Sequence, residues 1–327
     1  MKKGNIIFTW LFYLAIVVTL ISTLVYKVQN VQKPLKYVSI PQETIDWINS
    51  FGEGLDDLLS SFNPVPRPTP WDNEGDFGQD PETGLETLED EYFIIYFPES
   101  LTKEAKLCQA LAHQAIPHLE DIIGKYYYPA DMNGRKVPIY LMPDQKAFEE
   151  FMAKAFEGKG DYESTAGITI QEISSTGYFL QAIALNGRYA FSDDAYTKNV
   201  LWHEMTHYCF FASVDYNQQV NLPMWCYEGI AEYTSLPGKK PHFSQNEIDM
   251  MRKDCDLSAP HFPYVFEVYQ GGHSIFSHME DRYKVAGVKA FLHTLYSKGI
   301  PPSLRENFST TLPAFEADWK ASLGKFR

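Results

Sequence analysis

The apolar pattern of this chain changes near Ser192, and this change limits its possible folds more than any other feature. Before Ser192, short runs rich in β-branched and aromatic residues alternate with segments of helical periodicity; after it, the periodicity is helical almost throughout. Strands that precede a block of helices predict an α+β fold. We therefore expect a small, mainly antiparallel sheet with helices, followed by a helical half.

The first part of the chain contains three strand patterns and two helix patterns. The strands are predicted at residues 92–97, 137–141 and 177–185, and the helices at 101–127 and 145–156. Thr102 is predicted to be the N-cap of the first helix, because a threonine side chain can accept a hydrogen bond from a free backbone N–H. Beyond Ser192, loops rich in Pro and Gly are expected around 236–243 and 256–264.

The amino terminus carries an apolar segment, residues 6–25, without a charged side chain. As a helix it would be about 30 Å long, which matches the hydrocarbon thickness of a bilayer. It is longer than the apolar core of a signal peptide and lacks a good cleavage site. Residues 1–28 are therefore predicted to be a transmembrane helix that anchors the chain as a single-pass membrane protein. The very short preceding tail favours a large domain on the extracytoplasmic side.

Two segments separate this predicted anchor from the main domain. Residues 29–63 show helical spacing interrupted by glycines, which predicts a juxtamembrane amphipathic segment. Residues 64–91 are rich in proline and acidic side chains, which favour extended, mutually repelling chain, so a linker is predicted there. The compact domain is expected at 92–327.

Composition excludes one class of partner and leaves the oxidation state of the cysteines open. The formal net charge is −14 without a clustered basic patch, so no nucleic-acid partner is expected. The four cysteines form no CxxC pair, which argues against a zinc knuckle. They permit either two disulfides or four small buried thiols.

The segment His203-Glu-Met-Thr-His207 places two imidazoles four residues apart. On a helix these share one face and can reach a single metal ion, and Glu204 lies beside them where it can take a proton from water. Acidic residues at 193 and 194 are suited to start this helix. Such a five-residue pattern also occurs by chance, so on its own it is only suggestive.

A second segment about 20 residues later, Pro223-Met-Trp-Cys-Tyr-Glu228-Gly-Ile-Ala-Glu232, strengthens this prediction. Two histidines and one glutamate leave a coordination position open, which is typical of catalytic zinc sites. Glu232, one turn after Glu228, could hold the second ring nitrogen of a histidine ligand. Cys226 is an alternative ligand, but positions two apart on a helix point to different faces, which favours Glu228.

The pattern HExxH followed by W-x-x-E-G-x-A-E resembles the gluzincin, or peptidase MA-like, metallopeptidases. The likeness covers about 92–323 and includes the segments that begin at Tyr269 and Phe315. It implies a zincin-like domain with one Zn²⁺ per chain. The resemblance further implies His203, His207 and Glu228 as ligands, Glu204 as general base, Glu232 as orienting residue, and Tyr269 or its rival His273 as stabiliser of the oxyanion.

The activity that this resemblance implies is zinc-dependent hydrolysis of peptide bonds in a peptide or protein substrate. Two alternatives stay open from the sequence. One is a membrane-tethered binding or scaffold domain without catalysis, and the other is a zinc amidase that acts on non-protein amides.

Overall fold

The computed structural model describes residues 78–79, 84–90, 92–124, 136–155, 162–174, 177–215, 218 and 221–327. The predicted anchor (1–28), the predicted amphipathic segment (29–63) and most of the predicted linker (64–91) lie outside the described residues. Within the described ranges, no helix has the length and apolar character needed to cross a membrane.

The described residues, which belong to the compact unit Glu74–Arg327, form one sheet and nine α-helices, besides short 3₁₀ and π-helical segments. The strands are β1 (Gly78–Gln79), β2 (Glu86–Glu89), β3 (Phe93–Phe97), β4 (Val137–Met142), β5 (Gly167–Ser174) and β6 (Gly177–Asn186). The helices are α1 (Thr102–Ile122), α2 (Gln145–Ala155), α3 (Gly187–Ala190), α4 (Asp194–Ser213), α5 (Met224–Ser235), α6 (Gln245–Asp254), α7 (Gly272–Lys298), α8 (Ile300–Phe308) and α9 (Leu312–Ser322). Strands followed by helices confirm the α+β class and the helical second half.

The sheet is mixed, with three antiparallel and two parallel pairings, so the prediction of a mainly antiparallel sheet is confirmed only in part. Its strand order is β1-β2-β3-β4-β6-β5. The two central pairings, β3 with β4 and β4 with β6, are parallel, whereas the outer pairings are antiparallel. The physical reason lies in the connections, because β3 and β4 are joined through α1, and a helical crossover returns the chain to the same end of the sheet.

The three predicted strands are confirmed, but the sheet has further strands that the sequence patterns did not reveal. Strand β2 lies inside the segment predicted as linker, so the sheet begins before Tyr92. Its sequence Glu-Thr-Leu-Glu looks polar, yet Thr87 and Leu88 are buried and the whole strand pairs with β3. Strand β5, which forms the opposite edge, was also missed.

The start of α1 differs from the prediction in its capping. Leu101, and not Thr102, occupies the N-cap position, and no side chain caps this end. A preceding 3₁₀ turn, Glu99–Leu101, already continues into the helix, so the Thr102 hydroxyl donates its hydrogen bond back to the Glu99 carbonyl (2.7 Å). The last described turn ends at Ile122, before the predicted end at 127.

Buried tryptophans connect the helical half to its surroundings. The indole N–H of Trp202 on α4 donates to the Leu111 carbonyl of α1 (2.9 Å). In the same way Trp225 at the start of α5 donates to the Leu257 carbonyl (3.0 Å), which lies in the predicted loop 256–264. A buried indole needs such a partner, since an unsatisfied N–H would oppose burial. These bonds therefore help to fix the positions of α4 and α5.

Helix α5 crosses the start of α7 at two glycines. A Cβ atom added to Gly229 would lie 2.6 Å from the carbonyl carbon of Gly272, and one added to Gly272 would lie 2.7 Å from the Trp225 carbonyl oxygen. The two backbones can approach this closely only because neither residue has a side chain. Immediately before this crossing, Glu267–Gly271 forms a π-helical turn, a feature often found at functional sites.

Candidate metal centre

Helix α4 provides the two histidines of the site. Asp193 is its N-cap and accepts a hydrogen bond from the Tyr196 N–H (2.9 Å), which confirms the predicted acidic helix start. The helix runs without interruption through His203 and His207. The two rings therefore lie on one face, with their centroids 4.7 Å apart.

Helix α5 brings the glutamate to this face. The hydroxyls of Thr206 on α4 and Thr234 on α5 are 2.5 Å apart and fully buried, which fixes the two helices against each other. One of the two hydroxyls donates its proton to the other, and each also lies within hydrogen-bond distance of a carbonyl of its own helix, Thr206 of Trp202 and Thr234 of Ile230. With both groups satisfied, this buried polar contact is compatible with close helix packing.

Three ligand atoms converge between the two helices. His203 Nε2 and His207 Nε2 are 3.0 Å apart, and Glu228 Oε2 lies 3.1 Å from the first and 3.2 Å from the second. His203, His207 and Glu228 form a group that could hold a metal ion. The structure thus brings together the three residues predicted as ligands.

The electrostatic setting of this group favours a cation. Burial alone would lower the pKa of His203, but hydrogen bonds to Glu228 and Glu232 and the nearby charge of Glu204 raise it to about 10. Conversely, although burial opposes ionisation, the two histidines hold the pKa of the Glu228 carboxyl far below its ordinary value. Three carboxylates around two imidazoles thus form a buried region of negative potential in which a divalent ion could replace bound protons.

Glu232 lies behind His203. Its Oε1 is 3.2 Å from His203 Nδ1, so the carboxylate can accept the proton of the ring nitrogen that faces away from the other ligands. The second oxygen of Glu232 accepts a hydrogen bond from Gln270 Nε2 (3.1 Å) in the π-helical turn. Sequence reasoning missed Gln270, and no sequence signal marks it. His207 differs from His203, because its Nδ1 is buried and has no hydrogen-bond partner among the described residues.

Glu204, the predicted general base, lies at the interface between α4 and strand β5. It is buried, and its carboxylate accepts a hydrogen bond from the Thr169 hydroxyl (2.9 Å). Gly167, two residues earlier on the same strand, lies against the Glu204 side chain. Sequence reasoning also missed these two residues, although the alternation in Gly167-Ile-Thr-Ile170 could have indicated the strand itself.

The structure separates the two candidates for stabilising negative charge. The ring of Tyr269 stacks on His203, with 5.9 Å between centroids, and is half-buried. Burial and the carboxylates around it raise the pKa of Tyr269, so its phenol keeps its proton. His273 is fully buried, and its ring lies 6.3 Å from that of Tyr233. Burial lowers the pKa of His273 to about 4.

All four cysteines are free and buried in the structure. Cys226, the alternative ligand, is fully inaccessible and does not belong to the group formed by His203, His207 and Glu228. Burial raises the pKa of Cys108 and Cys209 to about 12, so both are neutral thiols at physiological pH.

The comparisons with known proteins add no family to this description. No protein-family model matches the chain, and the search of curated proteins finds no match.

Proposed function

We propose that this protein is a membrane-anchored, zinc-dependent peptidase of the gluzincin type. The observation that carries this proposal is the convergence of His203, His207 and Glu228, with Glu204 on the adjacent position of the same helix. A carboxylate beside a metal site can accept the proton of a water molecule that attacks the substrate, which hydrolysis requires. A binding or scaffold domain does not require such a group.

Zinc is the metal that best fits this donor set. Two imidazoles and one carboxylate are a common ligand set of catalytic zinc sites. A tetrahedral ion with bonds of about 2.0–2.1 Å needs ligand atoms about 3.3 Å apart. The three separations of 3.0–3.2 Å are close to this value, so small movements would complete the coordination.

Each residue around the site then has a definite task. Zinc, when bound, would polarise a substrate carbonyl and lower the pKa of water. Glu204 would accept the proton of the attacking water and deliver it to the leaving amine. Glu232 would hold the His203 tautomer, and the protonated phenol of Tyr269 would donate a hydrogen bond to the developing negative charge. The positions of the two rings favour Tyr269 over His273 for this last task.

The test compares the full-length protein, purified in mild detergent, with Glu204→Gln. Wild type should contain one zinc per chain and hydrolyse members of a peptide library, and a chelator should abolish the activity. The glutamine variant should keep its zinc but lose activity by about 10²–10⁴-fold, because only the base is removed. Glu306→Gln, which removes an exposed carboxylate from α8, is the matched control and should remain active.

The outcomes separate the alternatives. Full activity of Glu204→Gln with normal zinc would refute the assignment of the base. Zinc binding without hydrolysis of any peptide would favour the scaffold domain or, if non-peptide amides are cleaved, the amidase. A folded protein without zinc would refute the metal site.

A further inference from the structure

Strand β5 runs along the helix that carries the proposed base. It is one of the two edge strands of the sheet, next to β6, and it contacts α4 through residues at alternate positions. Gly167 and Thr169 occupy two such positions, since side chains two residues apart on a strand point to the same face. Both residues adjoin Glu204.

Thr169 makes a two-point contact with Glu204. Its Oγ1 lies 2.9 Å from the carboxylate oxygen Oε2 and 2.8 Å from the main-chain carbonyl oxygen of the same residue. Both atoms are acceptors, so the single hydroxyl proton serves one or the other. A β-branched side chain has few χ1 rotamers, so the position of this hydroxyl is well defined. When the proton is donated to Oε2, that oxygen is held in place, and because a carboxylate is planar the direction of the other oxygen is then set as well.

Gly167 provides the space that the Glu204 side chain fills. A Cβ atom at this position would lie 2.9 Å from Glu204 Cγ, 2.9 Å from Val200 Cγ1 and 3.1 Å from Leu185 Cδ2. All three distances are shorter than normal carbon contacts, so any side chain here would push Glu204 away from the strand. Gly167 thus lies against the aliphatic part of the Glu204 side chain, and Thr169, the next residue on the same face of the strand, orients the carboxylate.

We propose that Gly167 and Thr169 are positioning residues that hold the Glu204 carboxylate in the orientation needed to accept a proton. The proposal rests on the proposed function, in which Glu204 is the general base. A buried carboxylate that could rotate freely would spend part of its time turned away from the water molecule, and a displacement of about 1 Å can cost on the order of 10²-fold in rate.

Thr169→Val is the main test, because valine keeps the shape of threonine and removes only the hydroxyl donor. We expect kcat to fall by roughly 10–100-fold while KM and zinc content stay unchanged, since neither substrate binding nor the ligands are touched. Thr169→Ser, which keeps the hydroxyl, should restore kcat to within a few-fold of wild type. Ile168→Val, at the next position on the opposite face of β5, is the control and should leave kcat unchanged.

Two further measurements separate positioning from general damage to the fold. In a Glu204→Gln background, Thr169→Val should have little further effect on residual turnover, because the hydroxyl acts through the missing carboxylate. Acetohydroxamate, a zinc-binding probe that offers a proton to a neighbouring carboxylate, should bind Thr169→Val about 10-fold more weakly than wild type in calorimetry. Gly167→Ala should show the same loss of affinity if a thermal melt confirms that it is folded.

The contrary results are equally definite. Wild-type kcat and acetohydroxamate affinity in Thr169→Val would overturn the proposal, as would a structure of this variant in which the Glu204 carboxylate keeps its place. A wild-type protein that cleaves no peptide would refute the proposed function instead. In that case the affinity for acetohydroxamate and the structure of Thr169→Val still decide whether Thr169 positions Glu204.

Discussion

The crossing of α5 and α7 gives the sharpest prediction about stability, through the substitution Gly229→Ala. The new methyl carbon would lie 2.6 Å from the carbonyl carbon and 2.7 Å from the Cα of Gly272. Normal carbon contacts are about 3.5–4.0 Å, so the two segments must separate by roughly 1 Å. The obstructing atoms belong to the backbone, which means that no side-chain rotation can relieve the contact.

The expected cost follows from two opposing effects. Overpacking of this kind costs about 1–3 kcal/mol, and a backbone-to-backbone clash belongs at the upper end. Alanine favours helix over glycine by about 1 kcal/mol, which offsets part of this. We therefore expect a net loss of about 2 kcal/mol in the free energy of unfolding. For a domain of this size the loss corresponds to a fall of about 4–8 °C in Tm.

The measurement is urea denaturation of the full-length protein and of Gly229→Ala, each with and without zinc. Zinc affinity should also fall, because Glu228 directly precedes Gly229 and because Glu232 would lose its hydrogen bond from Gln270. Gly324→Ala is the control, since a methyl group there would meet only the Arg252 guanidinium, at 4.0 Å. If Gly229→Ala proves as stable as this control, the close crossing does not constrain the fold as argued.

Two more predictions concern single side chains near the site. Glu232→Ala should weaken zinc binding by about 10–100-fold without abolishing it, because His203 loses the partner of its Nδ1. An unchanged zinc affinity in competition with a chelator would show that Glu232 does not orient His203. His273→Gln should flatten the dependence of stability on pH. In the wild type the pKa of His273 is about 4 in the folded state, below the ordinary 6.5, so the unfolded chain takes up a proton first as the pH falls. The free energy of unfolding of the wild type should therefore decrease by roughly 3 kcal/mol between pH 6.5 and pH 4. Parallel stability curves for wild type and variant between these pH values would contradict this.

The grouping of the three candidate ligands could be predicted from the sequence, because helix geometry determines which residues share a face. His203 and His207, four residues apart, share a face as soon as the segment is helical, and the Asp193 cap supports that helix. The same rule places Glu228 and Glu232 on one face of α5. These inferences need only local structure and one contact between the two helices.

The surroundings of the site could not be predicted in this way, because they depend on register between distant segments. Nothing in the sequence around Thr169 states that its hydroxyl meets Glu204, 35 positions later, and a shift of one residue in β5 would turn it to the other face. Gln270, which contacts Glu232, lies in a π-helical turn, and the apolar periodicity of the sequence does not reveal such a turn. Strand β2 was hidden for a similar reason, since its burial comes from pairing with β3 and not from its own composition.

The glycine crossing also has a consequence for the motions of the site. At this crossing the backbones of α5 and α7 are in direct contact, without side chains between them that could change rotamer and let one helix slide over the other. Amide groups of α5 and of the turn at 267–271 should therefore exchange their hydrogens together, in one opening event, rather than each at its own rate. Glu228, Glu232, Tyr269 and Gln270 would then move as one body, so that any fluctuation that displaces Glu228 also displaces Tyr269.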